Sequence, residues 1–303
     1  MKTLNAALNA DLHCHSTVSD GLLTPAELVR RAKDNGVELL ALTDHDELGG
    51  LAEARATADE IGLRFVDGVE ISISWGDDQT VHIVGLGIDP ANAALNEGLR
   101  RVRSGRDTRA GRMAAELDKV GIHGAYEGAL RHAGNPALVS RSHFARYIAE
   151  QGHAKDVKSV FDYWLAKGKP GYVEHSWATL EDALRWIVGA GGTAVIAHPG
   201  RYRLSKAERH ELFSAFKNLG GRGIEVLSGS NKDDEVREFA HIARQFGFLA
   251  SRGSDFPGPG ESWIDLGKLP DLPEDLTPVW SVTLSKVFLC GAGRLFRFSV
   301  IAL

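Results

Sequence analysis

Short apolar runs alternate along this chain with longer amphipathic stretches. Leu39–Thr43, Arg64–Val69, Val81–Ile88, Thr193–Ala197, Gly223–Leu227 and Phe248–Arg252 each read as a short strand, and a further apolar run ends at His13-Cys14-His15. Helices are predicted between them. Thr24-Pro25-Ala26-Glu27 combines a cap residue, a proline at the first position and a glutamate three residues after the cap. That helix should stop at Asn35-Gly36, and a second, from about Leu48 to Ile61, should stop at Gly62. Leu180–Ala190, Lys206–Leu219 and Lys232–Phe246 continue the rhythm, which predicts a mainly parallel sheet or barrel. From about Asn96 to Leu165 the strand signals fade, and helical spacing takes over at Met113, Leu117 and Val120, then at Phe144, Tyr147 and Ile148.

The strand ends carry the chemistry. Alternation places Asp11, His13 and His15 on one face and Leu12 and Cys14 on the other. An H-x-H pair alone is weak evidence for a metal. However, Asp20 follows five residues later, Leu39–Thr43 leads to Asp44-His45-Asp46, and Arg64–Val69 leads to Glu70. Thr193–Ala197 leads to His198, and Phe248–Arg252 to Gly253-Ser254-Asp255. His82 differs, because it lies near the start of its run. In a β/α barrel, catalytic groups gather at the C-terminal ends of the strands, so the pattern predicts convergence on one mouth. The unit count is near that of a TIM barrel, one unit short. The expected fold is an α/β, TIM-like (β/α) barrel in two parts, residues 1–98 and 173–280. A helical insertion, 99–172, lies over the mouth, and 281–303 forms an unassigned C-terminal segment.

Composition narrows the function. With 303 residues and a net charge of −5, the molecule is no general binder of long nucleic acid, so any polyanion site must be local. Two cysteines, Cys14 and Cys290, exclude a disulfide framework and fit a reducing compartment. Met1–Ala10 lacks the apolar core of a signal peptide, and Lys286, Arg294 and Arg297 interrupt the apolar C-terminus, which argues against a membrane span. A cytoplasmic location is expected; the oligomeric state is open.

Eight residues form the candidate metal set: His13, His15, Asp20, His45, Glu70, His82, His198 and Asp255. Five imidazoles and three carboxylates without a thiolate suit Mn, Fe or Zn in a working site better than a structural zinc. Eight ligands exceed the needs of one ion, so two or three are expected. Asp20, His45, Glu70 and Asp255 are the candidates closest to the chemistry. Such a cluster supplies hydroxide at neutral pH and neutralises an anionic leaving group, which helps phosphate esters most. Arg100, Arg103, Arg106, Arg109 and Arg112 recur every third residue, but the line winds around a helix. Only two or three can face one ligand; Arg106 and Arg109 are the candidates. Arg141 and His143, with Asn135 and Ser140, are further candidate substrate contacts, although Ser140 or Ser142 reads equally well as a helix cap. Arg201 directly follows His198-Pro199-Gly200 and must lie near any metal held by His198. Trp177 and Trp263 could stack a base, though packing is the commoner role.

These motifs resemble the PHP family, named for polymerases and histidinol phosphatases. The resemblance is carried by Asp11-Leu12-His13-Cys14-His15-Ser16 with Ser19-Asp20-Gly21, by Thr43-Asp44-His45-Asp46 and by Gly68-Val69-Glu70. Ala197-His198-Pro199-Gly200 and Gly253-Ser254-Asp255-Phe256 complete it. It implies a seven-stranded distorted barrel and a trinuclear centre, often Mn. His13, His15, Glu70 and Asp255 would hold one ion, Asp20 and His45 the second, and a bridging Glu70 with His82 and His198 the third. One departure stands out: the family usually reads Gly-Ser-Asp-x-His, and Pro257 occupies the last position here. Val139 to Arg146 is similar to a subgroup that removes phosphate from nucleoside 3′,5′-bisphosphates or trims short RNA from its 5′ end. The resemblance therefore implies a phosphatase acting on a small nucleotide with two phosphates. A 5′→3′ exoribonuclease on short oligonucleotides is the alternative within enzymes, and a non-catalytic metal-binding module is the rival outside them.

Overall fold

The computed structural model describes residues 8–76 and 79–283. Among these residues, seven strands lie side by side in chain order: β1 (Ala10–Asp11), β2 (Leu39–Leu42), β3 (Arg64–Trp75), β4 (Gln79–Leu86), β5 (Thr193–Ile196), β6 (Gly223–Ser228) and β7 (Leu249–Gly253). The sheet nearly closes on itself. Leu12 N–H donates to Arg252 O at 3.1 Å, Asp255 N–H donates to His13 O at 2.7 Å, and Cys14 bridges Phe256. Gly253 permits this closure, because a Cβ there would lie 2.3 Å from His13 Cβ.

Most strand pairs are parallel, as the alternating rhythm predicts. β4 is not: it runs antiparallel to both β3 and β5. β3 also continues past Val69 to Trp75, so Glu70 sits inside a strand and not at its end. The physical reason is visible in Glu70-Ile71-Ser72-Ile73-Ser74, which keeps the period-two alternation going with Ile71 and Ile73 fully buried. The reversal also explains His82. The start of an antiparallel strand lies at the same barrel end as the C-termini of its parallel neighbours.

Helices cover the outside. α1 (Pro25–Asp34) begins with the Thr24–Glu27 capping box, and α2 (Leu51–Ile61) ends on left-handed Gly62. Five helices follow β4: α3 (Ala93–Ser104), α4 (Arg106–Asp118), α5 (Ala125–His132), α6 (Arg141–Glu150) and α7 (Val157–Val160). Leu95, Leu99 and Val102 of α3 belong to the barrel core. Met113, Leu117, Phe144, Ile148, Val160 and Leu165 build a second, separate core. The outer layer closes with α8 (Leu180–Gly189), α9 (Lys206–Asn218) and α10 (Asp233–Phe246). Fully buried Trp280 packs below, where Val279 N–H donates to Ala250 O at 2.8 Å. Of the segment 281–303, residues 284–303 lie outside the described residues. Among the described residues, no helix is long and apolar enough to cross a membrane.

Candidate active site

Glu70 is the centre of the barrel mouth. It is fully buried, and all five candidate imidazoles approach its carboxylate. His13 Nε2 lies 3.2 Å from Oε1, His82 Nδ1 2.9 Å and His198 Nε2 3.0 Å, while His45 Nδ1 lies 2.8 Å and His15 Nε2 3.4 Å from Oε2. The rings form a closed circuit around it. Centroid separations run 5.2 Å from His13 to His15, 4.5 Å to His45, 4.9 Å to His82, 5.2 Å to His198 and 5.6 Å back to His13. Asp255 Oδ1 lies 2.9 Å from His15 Nε2 and 3.4 Å from His13 Nε2. Asp20 Oδ1 stands 3.9 Å from His45 Nε2 at the outer edge.

Different elements deliver these groups to one place. β1 leads into His13 and His15, and the extension of β2 carries His45 beside Glu70 as an isolated parallel bridge. Ser72 faces His82 across the β3–β4 hairpin, so Glu70 and His82 are diagonal neighbours. Among the described residues, the non-glycine residues with positive φ are Asp46 (φ 52°), His198 (φ 25°) and Asp255 (φ 50°), all at this mouth. Strain of this kind persists where the surroundings hold it, and it clusters at functional sites.

The donor set fits a divalent metal centre. Buried His15 Nδ1 and His198 Nδ1 lack hydrogen-bond partners, and His13 Nε2 and Glu70 Oε2 meet other members of the cluster. Three groups each bring their donor atoms within 4.8 Å of one another: His13, His15, Glu70 and Asp255; His15, Asp20 and His45; and His45, Glu70 and His82. Burial pushes the Glu70 carboxyl up, but His45, His13 and His82 outweigh it and hold it well below the usual carboxylate range. Burial likewise opposes ionisation of Asp255, and Arg201 and His13 reverse the balance. Burial lowers His82 to about 4, so its imidazole is neutral and free to ligate.

An open cleft leads out from His45, His82 and Asp20 toward the helical segment. Arg106, Arg109 and Arg141 line it, with Trp177 and Phe161 beside them. Arg106 is buried, pairs with Asp46 and lies 4.7 Å over the Trp177 ring. Arg109 lies 5.4 Å over the same ring and donates to Val173 O at 3.3 Å. Burial, with Arg141 and Arg106 nearby, lowers Arg109 to about 9, which leaves it a cation short of negative charge. Arg141 stands 5.9 Å from the Phe161 ring. Of the other arginines in that series, Arg100 pairs with Glu97 and Arg103 with Glu47, and Arg112 is exposed.

Other expected contacts take different places. His143 is fully buried behind the cleft, where its Nδ1 accepts the Ser140 N–H at 3.0 Å and completes the N-terminal box of α6. Asn135 caps the short turn Pro136–Leu138 and does not reach the cleft lining. Ser140 lines the cleft and donates to Asp20 Oδ2 at 3.2 Å. Arg201 pairs with Asp255, and its Nε donates to Ser230 Oγ at 3.0 Å. Trp263 is 88% exposed and is not part of the cleft lining.

Several site residues escaped the sequence reading. Ser142 donates to Asp20 Oδ2 at 2.9 Å. Asp44 binds Ser16 N–H at 2.8 Å and Ser19 Oγ at 2.5 Å, tying down the loop that carries Asp20. Tyr202 Oη accepts the His82 N–H at 2.9 Å and donates to Ala197 O at 2.8 Å. Glu225, on β6, meets His13 Nδ1 at 2.7 Å. Its signal was a lone carboxylate inside Gly223-Ile224-Glu225-Val226-Leu227, an otherwise apolar strand.

A family model described as the PHP domain matches residues 11–191, more than half of the chain, and the chain belongs to the PHP family. It is 53% identical over 272 residues to a 3′,5′-nucleoside bisphosphate phosphatase of Chromobacterium violaceum, covering 90% of this chain and 95% of that one. It is 40% identical over 270 residues to a 5′-3′ exoribonuclease of Haemophilus influenzae, covering 89% and 97%. Among solved structures, one described as an amidohydrolase from Chromobacterium violaceum, with bound sulfate and no metal, superposes with a TM-score of 0.89 at 52% identity, covering 92% and 96%. A putative metal-dependent phosphoesterase from Bifidobacterium adolescentis superposes with a TM-score of 0.77 at 28% identity, covering 94% and 97%.

Proposed function

We infer that this protein is a metal-dependent hydrolase of phosphoric esters that removes the 3′-phosphate of nucleoside 3′,5′-bisphosphates, leaving a nucleoside 5′-monophosphate and phosphate. The observation that carries the reading is the juxtaposition of two unlike charge environments. A centre of clustered imidazoles and carboxylates adjoins a cleft lined by Arg106, Arg109 and Arg141. A substrate with two phosphates suits both: one at the reacting centre, one on the arginines. Similarity to the Chromobacterium violaceum phosphatase supports the same choice.

His13, His15, Glu70 and Asp255 would hold one ion, Asp20 and His45 a second, and Glu70 with His82 and His198 a third; we propose Mn2+, two or three per chain. When bound, the ions supply an activated water and neutralise developing charge on the phosphoryl group. The chain's own residues do the rest. Arg201, anchored by Asp255, presents a guanidinium to phosphoryl oxygens. Arg109 and Arg141 hold the non-reacting phosphate and thereby orient the scissile ester. Trp177 and Phe161 offer the base an apolar edge.

A second reading, a 5′→3′ exoribonuclease on short oligonucleotides, draws on the Haemophilus influenzae relative and on the open end of the cleft. One assay separates them. Mn2+-loaded protein is incubated with adenosine 3′,5′-bisphosphate, and both phosphate and nucleotide products are followed. Phosphate with AMP supports the phosphatase. Release only from short 5′-phosphorylated RNA would replace it with the nuclease. Inertness on both, with under one ion per chain, would favour a non-catalytic metal-binding module.

A further inference from the structure

Glu225 projects from β6 into the barrel, where it is 1% exposed. A carboxylate buried this deeply costs stability unless hydrogen bonds satisfy it, and an apolar side chain would fill the position at no such cost. Both of its oxygens are engaged by residues that carry candidate ligands. Oε1 lies 2.7 Å from His13 Nδ1, and Oε2 accepts the His198 backbone N–H at 2.6 Å.

The first contact decides where the His13 proton sits. A carboxylate accepts, so an N–H on Nδ1 points at Glu225, and Nε2, which faces the carboxylates of Glu70 at 3.2 Å and Asp255 at 3.4 Å, is left as the nitrogen a cation between them would take. Nε2 is buried and meets these two cluster carboxylates, as expected of a ring set for a cation. The second contact holds a strained backbone. Asp46 and Asp255 keep positive φ by donating their N–H groups to the backbone carbonyls of Glu70 and His13. His198 has a side chain in that role, so its conformation depends on Glu225.

We propose that Glu225 is a positioning residue for the metal centre: it fixes the His13 tautomer and the His198 backbone together, and so sets how tightly the His13–Glu70–His198 side takes a divalent cation. This rests on the reading of the cluster as a metal site.

Glu225→Gln tests it. The amide oxygen can still accept from His198, while the NH2 group faces His13 Nδ1 and drives the proton to Nε2, where it blocks ligation. Titration of metal-free protein with Mn2+ by calorimetry should show affinity roughly 10- to 100-fold weaker than wild type. A second readout needs no variant at position 225. In Zn2+-loaded wild-type protein, ¹⁵N-imidazole NMR should show a protected Nδ1–H on His13, assigned by its loss in His13→Asn. Equal Mn2+ affinity in both proteins, or a His13 proton on Nε2, overturns the inference alone. A wild-type protein that binds no Mn2+ overturns the metal reading and the inference with it.

Discussion

Glu70 and His82 meet at 2.9 Å although they come from strands that run in opposite directions. In a fully parallel barrel, a residue near the start of a strand would lie at the far end from the site. The reversal of β4 brings His82 to the mouth and lets Glu70 contact all five imidazoles at once. Loss of that one carboxylate should therefore disable the whole cluster. We predict that Glu70→Gln lowers kcat by at least roughly 10²–10³-fold while circular dichroism stays native. Turnover near wild type would show that the reaction does not use this centre.

The cleft arginines should affect binding more than chemistry. Arg141→Ala removes a charged hydrogen-bond donor, a change of about 1.5–3 kcal/mol. KM for the bisphosphate should rise by one to two orders of magnitude, with a smaller change in kcat. A nucleoside 3′-monophosphate, which lacks the second phosphate, should be nearly indifferent to the substitution. A uniform loss on both substrates would move Arg141 to the reacting phosphoryl group.

Gly253 sets the distance between β7 and His13. Gly253→Ala would place a methyl carbon 2.3 Å from His13 Cβ, so His13 or β7 must shift. We expect about 1–3 kcal/mol of destabilisation by thermal unfolding, with a drop in Mn2+ affinity in the folded protein. Full stability together with full activity would show that the barrel seam relaxes freely there.

Pro257 lies beside the loop that carries Asp20, its carbonyl accepting the Leu22 N–H at 2.7 Å. Pro257→His would return an imidazole to a position where the family usually has one. Elemental analysis after Mn2+ loading should then find more metal per chain, or tighter retention during dialysis. Unchanged metal content would mean that Asp20 and His45, with His15 nearby, already complete the outer position.

Much of the site was legible in the sequence because ligand chemistry is carried by residue type. His13, His15, His45, Glu70, His198 and Asp255 follow apolar runs, and they converge as expected. Strand direction was not legible. Period-two alternation is the same in parallel and antiparallel pairs, so nothing in Val81–Leu86 announces that β4 is reversed. His143 was open to two readings because a histidine three residues after a serine suits both a phosphate contact and a helix cap, and its Nδ1 takes the cap here. Glu225 was missed because its significance lies in partners 212 and 27 residues away.

Asp20 is held from above as well as below. Ser140 and Ser142 donate to its carboxylate, and Arg146 donates to its carbonyl at 2.6 Å. All three belong to α6 or its cap, whereas the loop bearing Asp20 is anchored to the end of β2 by Asp44. The helical segment is thus no interchangeable ornament on a self-sufficient barrel. Grafting a different segment between β4 and α8 would carry away the hydroxyls that aim Asp20, and the transplant would inherit a damaged centre along with its new specificity.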